Sequence, residues 1–142
     1  MLKSIFAGNV SDGRIVSFDK VTLCESGMRY TVEYEIVTKD GIAEVSLYSI
    51  RYAEKEDRRI PERRAECSID TVLKLLNDCR LLSWDGFSGA HPKGVRDGIM
   101  FRLKAIVNDG KKIYADGSEN FPKHYRDFTE GLYNILHKEN TE

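Results

Sequence analysis

The apolar positions of this chain switch period along its length, from alternation to helical spacing, back to alternation, and to helical spacing again. In residues 28–38 (MRYTVEYEIVT) Tyr30, Val32, Tyr34 and Ile36 share one side, and Arg29, Thr31, Glu33 and Glu35 the other. Such alternation marks a strand with one wet face, because successive side chains of an extended chain point to opposite faces. Residues 14–24 (RIVSFDKVTLC) read as its hairpin partner, joined through Glu25-Ser26-Gly27. Asp40-Gly41 supplies the positive φ of a second tight turn, and residues 42–52 (IAEVSLYSIRY) follow as a third strand. Both sides of that strand are partly apolar, so its pattern does not orient it. Residues 53–64 (AEKEDRRIPERR) are nearly all charge with one proline and read as an exposed loop.

Helical spacing then takes over. Ser68 is placed to cap a helix over 69–81, where Ile69, Val72, Leu73, Leu76 and Cys79 make one apolar face. Asp70 in its first turn and Arg80 in its last suit the helix dipole. A long loop, 82–98, leads to a strand at 99–107 with Ile99, Phe101, Leu103, Ala105 and Val107 on one side. Asn108-Asp109-Gly110 turns it back into a strand at 111–115. A last helix is expected over 122–137, with Pro122 at its first position and Tyr125, Phe128, Leu132, Ile135 and Leu136 as its buried face. Gly131 weakens that helix by up to about 1 kcal/mol relative to alanine, and a close helix–sheet approach would explain it. The expected architecture is a single domain, 1–142, of the α+β class. It has two layers: an antiparallel sheet of about five strands, with two helices packed on one face. The other face must be solvated or meet a partner.

Composition narrows the function classes. The chain has 142 residues, enough for a substantial core without a metal or a disulfide framework. Lys plus Arg is 22 and Asp plus Glu is 23, so the net charge of −1 gives no general attraction to nucleic acid or anionic lipid. Cys24, Cys67 and Cys79 are scattered and odd in number, with no C-x-x-C and no zinc spacing. That fits a reducing compartment, and the chain as it stands reads as cytoplasmic. A parent whose export signal or lipid anchor had been removed would read the same. No window is apolar enough for a membrane span, and no cofactor or metal motif is present.

A composite in the second half resembles a known group. It runs Trp84-Asp85-Gly86-Phe87, then D-G-x-x-F-x-L at Asp97, Gly98, Phe101 and Leu103. It continues with Asp109-Gly110-Lys111 and A-x-G-S-x-N-F-P at Ala115, Gly117, Ser118, Asn120, Phe121 and Pro122. This is similar to a family of uncharacterised bacterial proteins, some of them exported or lipid-anchored, over about residues 68–138. The group has no established activity, so the resemblance implies no catalytic residue. Read physically, the motifs are turn and packing chemistry first. Phe121 is placed to pack on Tyr125 as a hydrophobic staple, and Ser118 and Asn120 to cap the last helix.

Three functional readings remain. In the first, the chain is a non-enzymatic binding or interaction module. Its sheet face, rich in Tyr30, Tyr34, Tyr48 and Tyr52, or its 84–98 loop meets a protein partner or a second copy. In the second, Trp84 and Phe87 form an aromatic platform for a saccharide or other small molecule, with Asp85 as acceptor. In the third, Asp85, His91 and Asp97 make an acid–base site of a small enzyme. Against each stands a structural reading: Trp84 closing the core, and His91 as an exposed loop residue without ligand spacing. Phe87-Ser88-Gly89 is only a fragment of a nucleophile elbow, and nothing beside the cysteines would depress a thiol pKa. Gly86-Phe87-Ser88-Gly89 precedes a strand, which does not aim backbone N–H groups at a phosphate as a helix N-terminus would. Arg58, Arg59, Arg63 and Arg64 alternate with acids and read as a solvated face. The first reading is the one the sequence favours, leaning away from an enzyme.

Overall fold

The structure, a computed structural model, describes residues 14–52, 56, 58–95 and 98–138. Its elements in chain order are β1 (Phe18–Ser26), β2 (Thr31–Lys39), β3 (Ile42–Arg51), β4 (Arg58–Ser68), α1 (Ile69–Asp78), a 3₁₀ turn (Leu81–Trp84), β5 (Ser88–Gly89), β6 (Met100–Val107), β7 (Lys111–Ser118) and α2 (Tyr125–Leu136). All the strands lie in one sheet in the order β4-β3-β2-β1-β6-β7-β5. Every pairing is antiparallel except the short β5–β7 pair. The α+β class, the mostly antiparallel sheet and the two helices are as the periodicity requires. The strand count is corrected from about five to seven. The two extra strands are β4, which lies partly in the charged segment, and the two-residue β5 inside the long loop.

The register explains the core. Val21 faces Ala105 on one side and Ile36 on the other, and Leu23 faces Leu103 and Tyr34. Ile36 faces Val45, and Val45 faces Ala65. On β6 and β7, Leu103 faces Ala115 and Ala105 faces Ile113. These residues make the inner surface, so β3 is oriented with Ala43, Val45 and Leu47 inward. Against it pack Val72, Leu76 and Cys79 from the α1 segment and Tyr125, Phe128, Leu132 and Leu136 from α2, all buried. Burying a side chain of this size stabilises by about 1.5–3 kcal/mol.

The helix ends refine the expectations. Ser68 caps α1 as its position suggested, its Oγ accepting from the Thr71 amide at 3.1 Å. The helix ends by Cys79, and Arg80 stands in the left-handed region at φ 55°. Pro122 does not open α2: its carbonyl accepts from the Tyr125 amide, His124 sits left-handed at φ 72°, and the helix begins at Tyr125. Phe121 and Tyr125 do stack, with ring centroids 4.7 Å apart. Gly131 marks a helix–helix approach rather than a helix–sheet one: a Cβ there would come within 2.4 Å of Leu75 Cδ1. Gly117 is constrained more firmly, since its Cβ would run into the Asn120 backbone carbonyl rather than the end of a side chain. Beyond the sheet, Asn77 Oδ1 accepts from the Ile15 amide at 2.7 Å and Asn108 Oδ1 from that of Val16 at 2.7 Å, which ties down the approach to β1.

Candidate functional site

The 3₁₀ turn and the segment after it carry the residues singled out in the sequence, and each has a local task. Trp84 is 1% exposed. Its indole Nε1–H donates to the Cys79 carbonyl at 3.2 Å, and its ring meets Phe128 edge-on at 5.5 Å and Tyr125 at 5.9 Å. A ring so enclosed offers no face to a ligand, so the platform expectation is corrected at Trp84. Phe87 is half-buried against Phe101, 6.2 Å between centroids. Asp85 is exposed. Its Oδ1 accepts from the Tyr114 amide at 3.0 Å, and its Oδ2 lies 3.6 Å from Lys111 Nζ. With the Gly86 amide donating to Tyr114 and the Asp116 amide to Phe87, these bonds fasten the turn to β7.

His91 is exposed. Its Nδ1 contacts Ser118 Oγ at 2.7 Å and its Nε2 the Val95 carbonyl. Both ring nitrogens are thus occupied by groups other than a carboxylate. Asp97, the third member of the acid–base expectation, lies outside the described residues. Ser118 and Asn120 act on the loop rather than on α2, for Asn120 Nδ2 donates to the Ala90 carbonyl at 3.2 Å. Among the described residues, no three His, Cys, Asp or Glu side chains are placed to hold a metal ion. Burial first of all raises the thiol pKa of Cys24 and Cys67, and pushes that of Cys79 up to about 11, away from nucleophilic reactivity. No helix of the described residues is long and apolar enough to cross a membrane.

A second polar cluster sits under the β1–β2 hairpin. Glu25, on the inward side of β1, accepts from Tyr125 Oη at 2.6 Å and from Tyr30 Oη at 2.8 Å. Burial, then the bond to Glu25, raises the Tyr125 pKa and pushes that of Tyr30 up to about 12. The pair of phenols ties the hairpin to α2, so this is an architectural clasp. It also divides the tyrosines: Tyr30 and Tyr34 belong to the inner side, Tyr48 and Tyr52 to the outer.

Among the described residues, the outer face of the sheet carries no second layer. Its β2–β3–β4 half is neutralised internally. Arg59 stacks 3.8 Å over the Tyr48 ring and reaches Glu33 at 3.6 Å and Glu35 at 3.3 Å. Lys20 meets Glu35 at 3.2 Å and Arg64 meets Glu44 at 3.5 Å. The β1–β6–β7 half differs. Register sets Lys20, Ile106 and Lys112 in one row, Thr22, Lys104 and Tyr114 in the next, and Cys24, Arg102 and Asp116 in a third. Arg102, Lys104 and Lys112 are exposed and make no ion pair among the described residues. Two shallow hollows follow these rows. One of about 340 Å³ lies around Ile106 between Lys20, Lys104, Lys112 and Tyr114. The other, of about 450 Å³, lies between Tyr52, Cys24, Met100, Arg102 and Asp116. Tyr52, Met100 and Tyr114 are 68%, 54% and 43% exposed.

The signal for these cations is present in the sequence, one face at a time. In MFRLKAIV the outward positions are Met100, Arg102, Lys104 and Ile106, apolar or cationic without a single acid. A local count of outward residues would have shown what the whole-chain charge of −1 averages away. Comparison of the chain with protein-family models, with curated proteins and with solved structures returned no match.

Proposed function

We propose that this protein is a non-enzymatic interaction module whose outer sheet face, over β1, β6 and β7, binds an acidic segment of a partner protein. One observation carries the reading. Among the described residues, Arg102, Lys104 and Lys112 project from a sheet face that no other element covers, beside exposed Tyr52, Met100 and Tyr114, and no acid pairs with them. Tyrosine, methionine and arginine are the residues enriched at interfaces, because each joins apolar area to a polar or polarisable group. The hollow around Ile106 suits an apolar side chain flanked by carboxylates. Exposed charges contribute little each, about 0.2–1 kcal/mol, so they set partner choice and association rate while the apolar contacts supply the rest.

The test is fluorescence anisotropy with a labelled peptide of glutamates around a central leucine. Binding that weakens as salt rises is expected. Lys104→Glu together with Lys112→Glu should weaken it at least about tenfold, equivalent to about 1.4 kcal/mol. Reversal on the neutralised half, Arg64→Glu, should leave it nearly unchanged. Equal loss in both variants, or binding only to a single-stranded oligonucleotide, would contradict the reading.

A further inference from the structure

The second unpartnered feature is an edge rather than a face. β4 is the outermost strand on its side of the sheet and runs for 11 residues. Among the described residues no strand pairs with its outer side, and a groove of about 720 Å³ opens there between Arg63, Arg64, Cys67, Ile135 and Leu136. A long exposed edge is a template for another strand unless something guards it. Here the guard is charge: Glu62, Arg63, Arg64 and Glu66 are all exposed. Charge of mixed sign does not exclude every strand. It admits one whose charges complement it.

We propose that the chain forms a two-fold dimer in which β4 pairs antiparallel with β4 of a second copy, Ala65 facing Ala65 at the axis. In that register Arg64 faces Glu66 twice, once on each side of the axis, on the outer surface of the sheet. Arg63 faces Cys67 and Glu62 faces Ser68. The neighbouring registers are penalised. Moving the axis to Arg64 sets Arg64 on Arg64 and Glu62 on Glu66. Moving it to Glu66 sets Glu66 on Glu66, and moving it to Arg63 sets Arg63 on Arg63. Pairings that join residues of opposite faces are excluded, because they would turn the helix side of one copy toward the open side of the other. Pro61, which has no N–H, lies at the bulge opposite Leu47 and Tyr48 and stops the ladder from extending further toward the start of β4. The Arg63 guanidinium is already anchored, its Nε donating to the Leu136 carbonyl at 2.7 Å, so the α2 end travels with the edge it would help to close. This dimer leaves the outer face of β1, β6 and β7 free and does not rest on the preceding reading.

Sedimentation velocity across a concentration series tests it. The wild type should approach twice the chain mass of 16.2 kDa. Glu66→Arg, which sets arginine against arginine twice, should weaken the dimer at least about tenfold. Arg64→Glu added to Glu66→Arg should restore it. Oxidation of mixed Arg64→Cys and Glu66→Cys chains should give a 64–66 disulfide between copies. Arg64→Cys alone should give no 64–64 disulfide, because diagonal positions exceed the roughly 7 Å a disulfide spans. A monomer at every concentration overturns the proposal. So does a dimer indifferent to Glu66→Arg, one that the double reversal fails to restore, or one without the 64–66 crosslink. Circular dichroism on each variant separates loss of pairing from loss of fold.

Discussion

Replacing Trp84 with phenylalanine isolates the site that the sequence left balanced between core and ligand platform. Two losses follow from its geometry. The Cys79 carbonyl loses the indole N–H that sits 3.2 Å away, inside a buried region. Such a bond contributes about 1 kcal/mol net. The smaller ring also leaves space beside Phe128 and Tyr125, which close on the indole at 5.5 and 5.9 Å. Roughly 40 Å³ of new cavity at about 24 cal/mol per Å³ adds about 1 kcal/mol. Trp84→Phe should therefore destabilise the protein by about 2 kcal/mol, and Trp84→Ala by about 3–5 kcal/mol. The assay is urea unfolding followed by far-ultraviolet circular dichroism, since the only tryptophan is the one removed. In the wild type its emission should be blue-shifted and poorly quenched by acrylamide. A loss below about 0.5 kcal/mol for Trp84→Phe, a value typical of surface substitutions, would refute the core assignment.

Three further outcomes follow from the same structure. The phenols of Tyr30, Tyr34 and Tyr125 are held above their ordinary pKa by burial, that of Tyr30 at about 12. Because the fold favours the protonated phenol, this stabilisation is complete below about pH 10, where unfolded tyrosine titrates, and is lost as pH rises through about 12; Tyr125→Phe should flatten the alkaline fall of the urea midpoint, and an identical fall in both proteins would contradict the clasp. Ser68→Ala removes the cap on the Thr71 amide and should cost about 1 kcal/mol in the same unfolding assay, and a cost below about 0.3 kcal/mol would contradict the cap. Gly131→Ala should destabilise despite the better helix former, since its Cβ meets Leu75 at 2.4 Å, and adding Leu75→Ala should cancel part of the loss; a stabilising single variant would show that Leu75 steps aside freely.

What the sequence shows depends on how much apolar burial each element needs. In β6 every second residue is buried, and β1, β2 and β7 alternate over part of their length, so alternation reveals them. β4 needs fewer apolar residues because it lies at an edge. Beyond Pro61 its inward set is Arg63, Ala65 and Cys67, and Arg58, Arg59, Glu62, Arg64 and Glu66 make most of the remainder charged, so it reads as loop. The start of α2 was misplaced because Pro122 is a good first helical residue, whereas the left-handed turn at His124 is a tertiary outcome with no sequence mark. Asp85 and His91 carry the right chemistry for a site, but their partners, the Tyr114 amide and Ser118, come from β7 at a distance in the chain. The cations of the outer face were legible as a pattern. Which of them lack a partner depended on β2, β3 and β4 supplying Glu33, Glu35, Glu44 and Arg59 to one half of the sheet only.

The central claim is that the outer face over β1, β6 and β7 is the binding surface. It is tested most directly by amide chemical-shift mapping during titration with the glutamate–leucine peptide. The account predicts that the largest shifts fall on Thr22, Arg102, Lys104, Ile106, Lys112 and Tyr114, with α1, α2 and the 3₁₀ turn quiet. Shifts centred on the helices or on Asp85 and His91, with the β6–β7 rows unmoved, would contradict it.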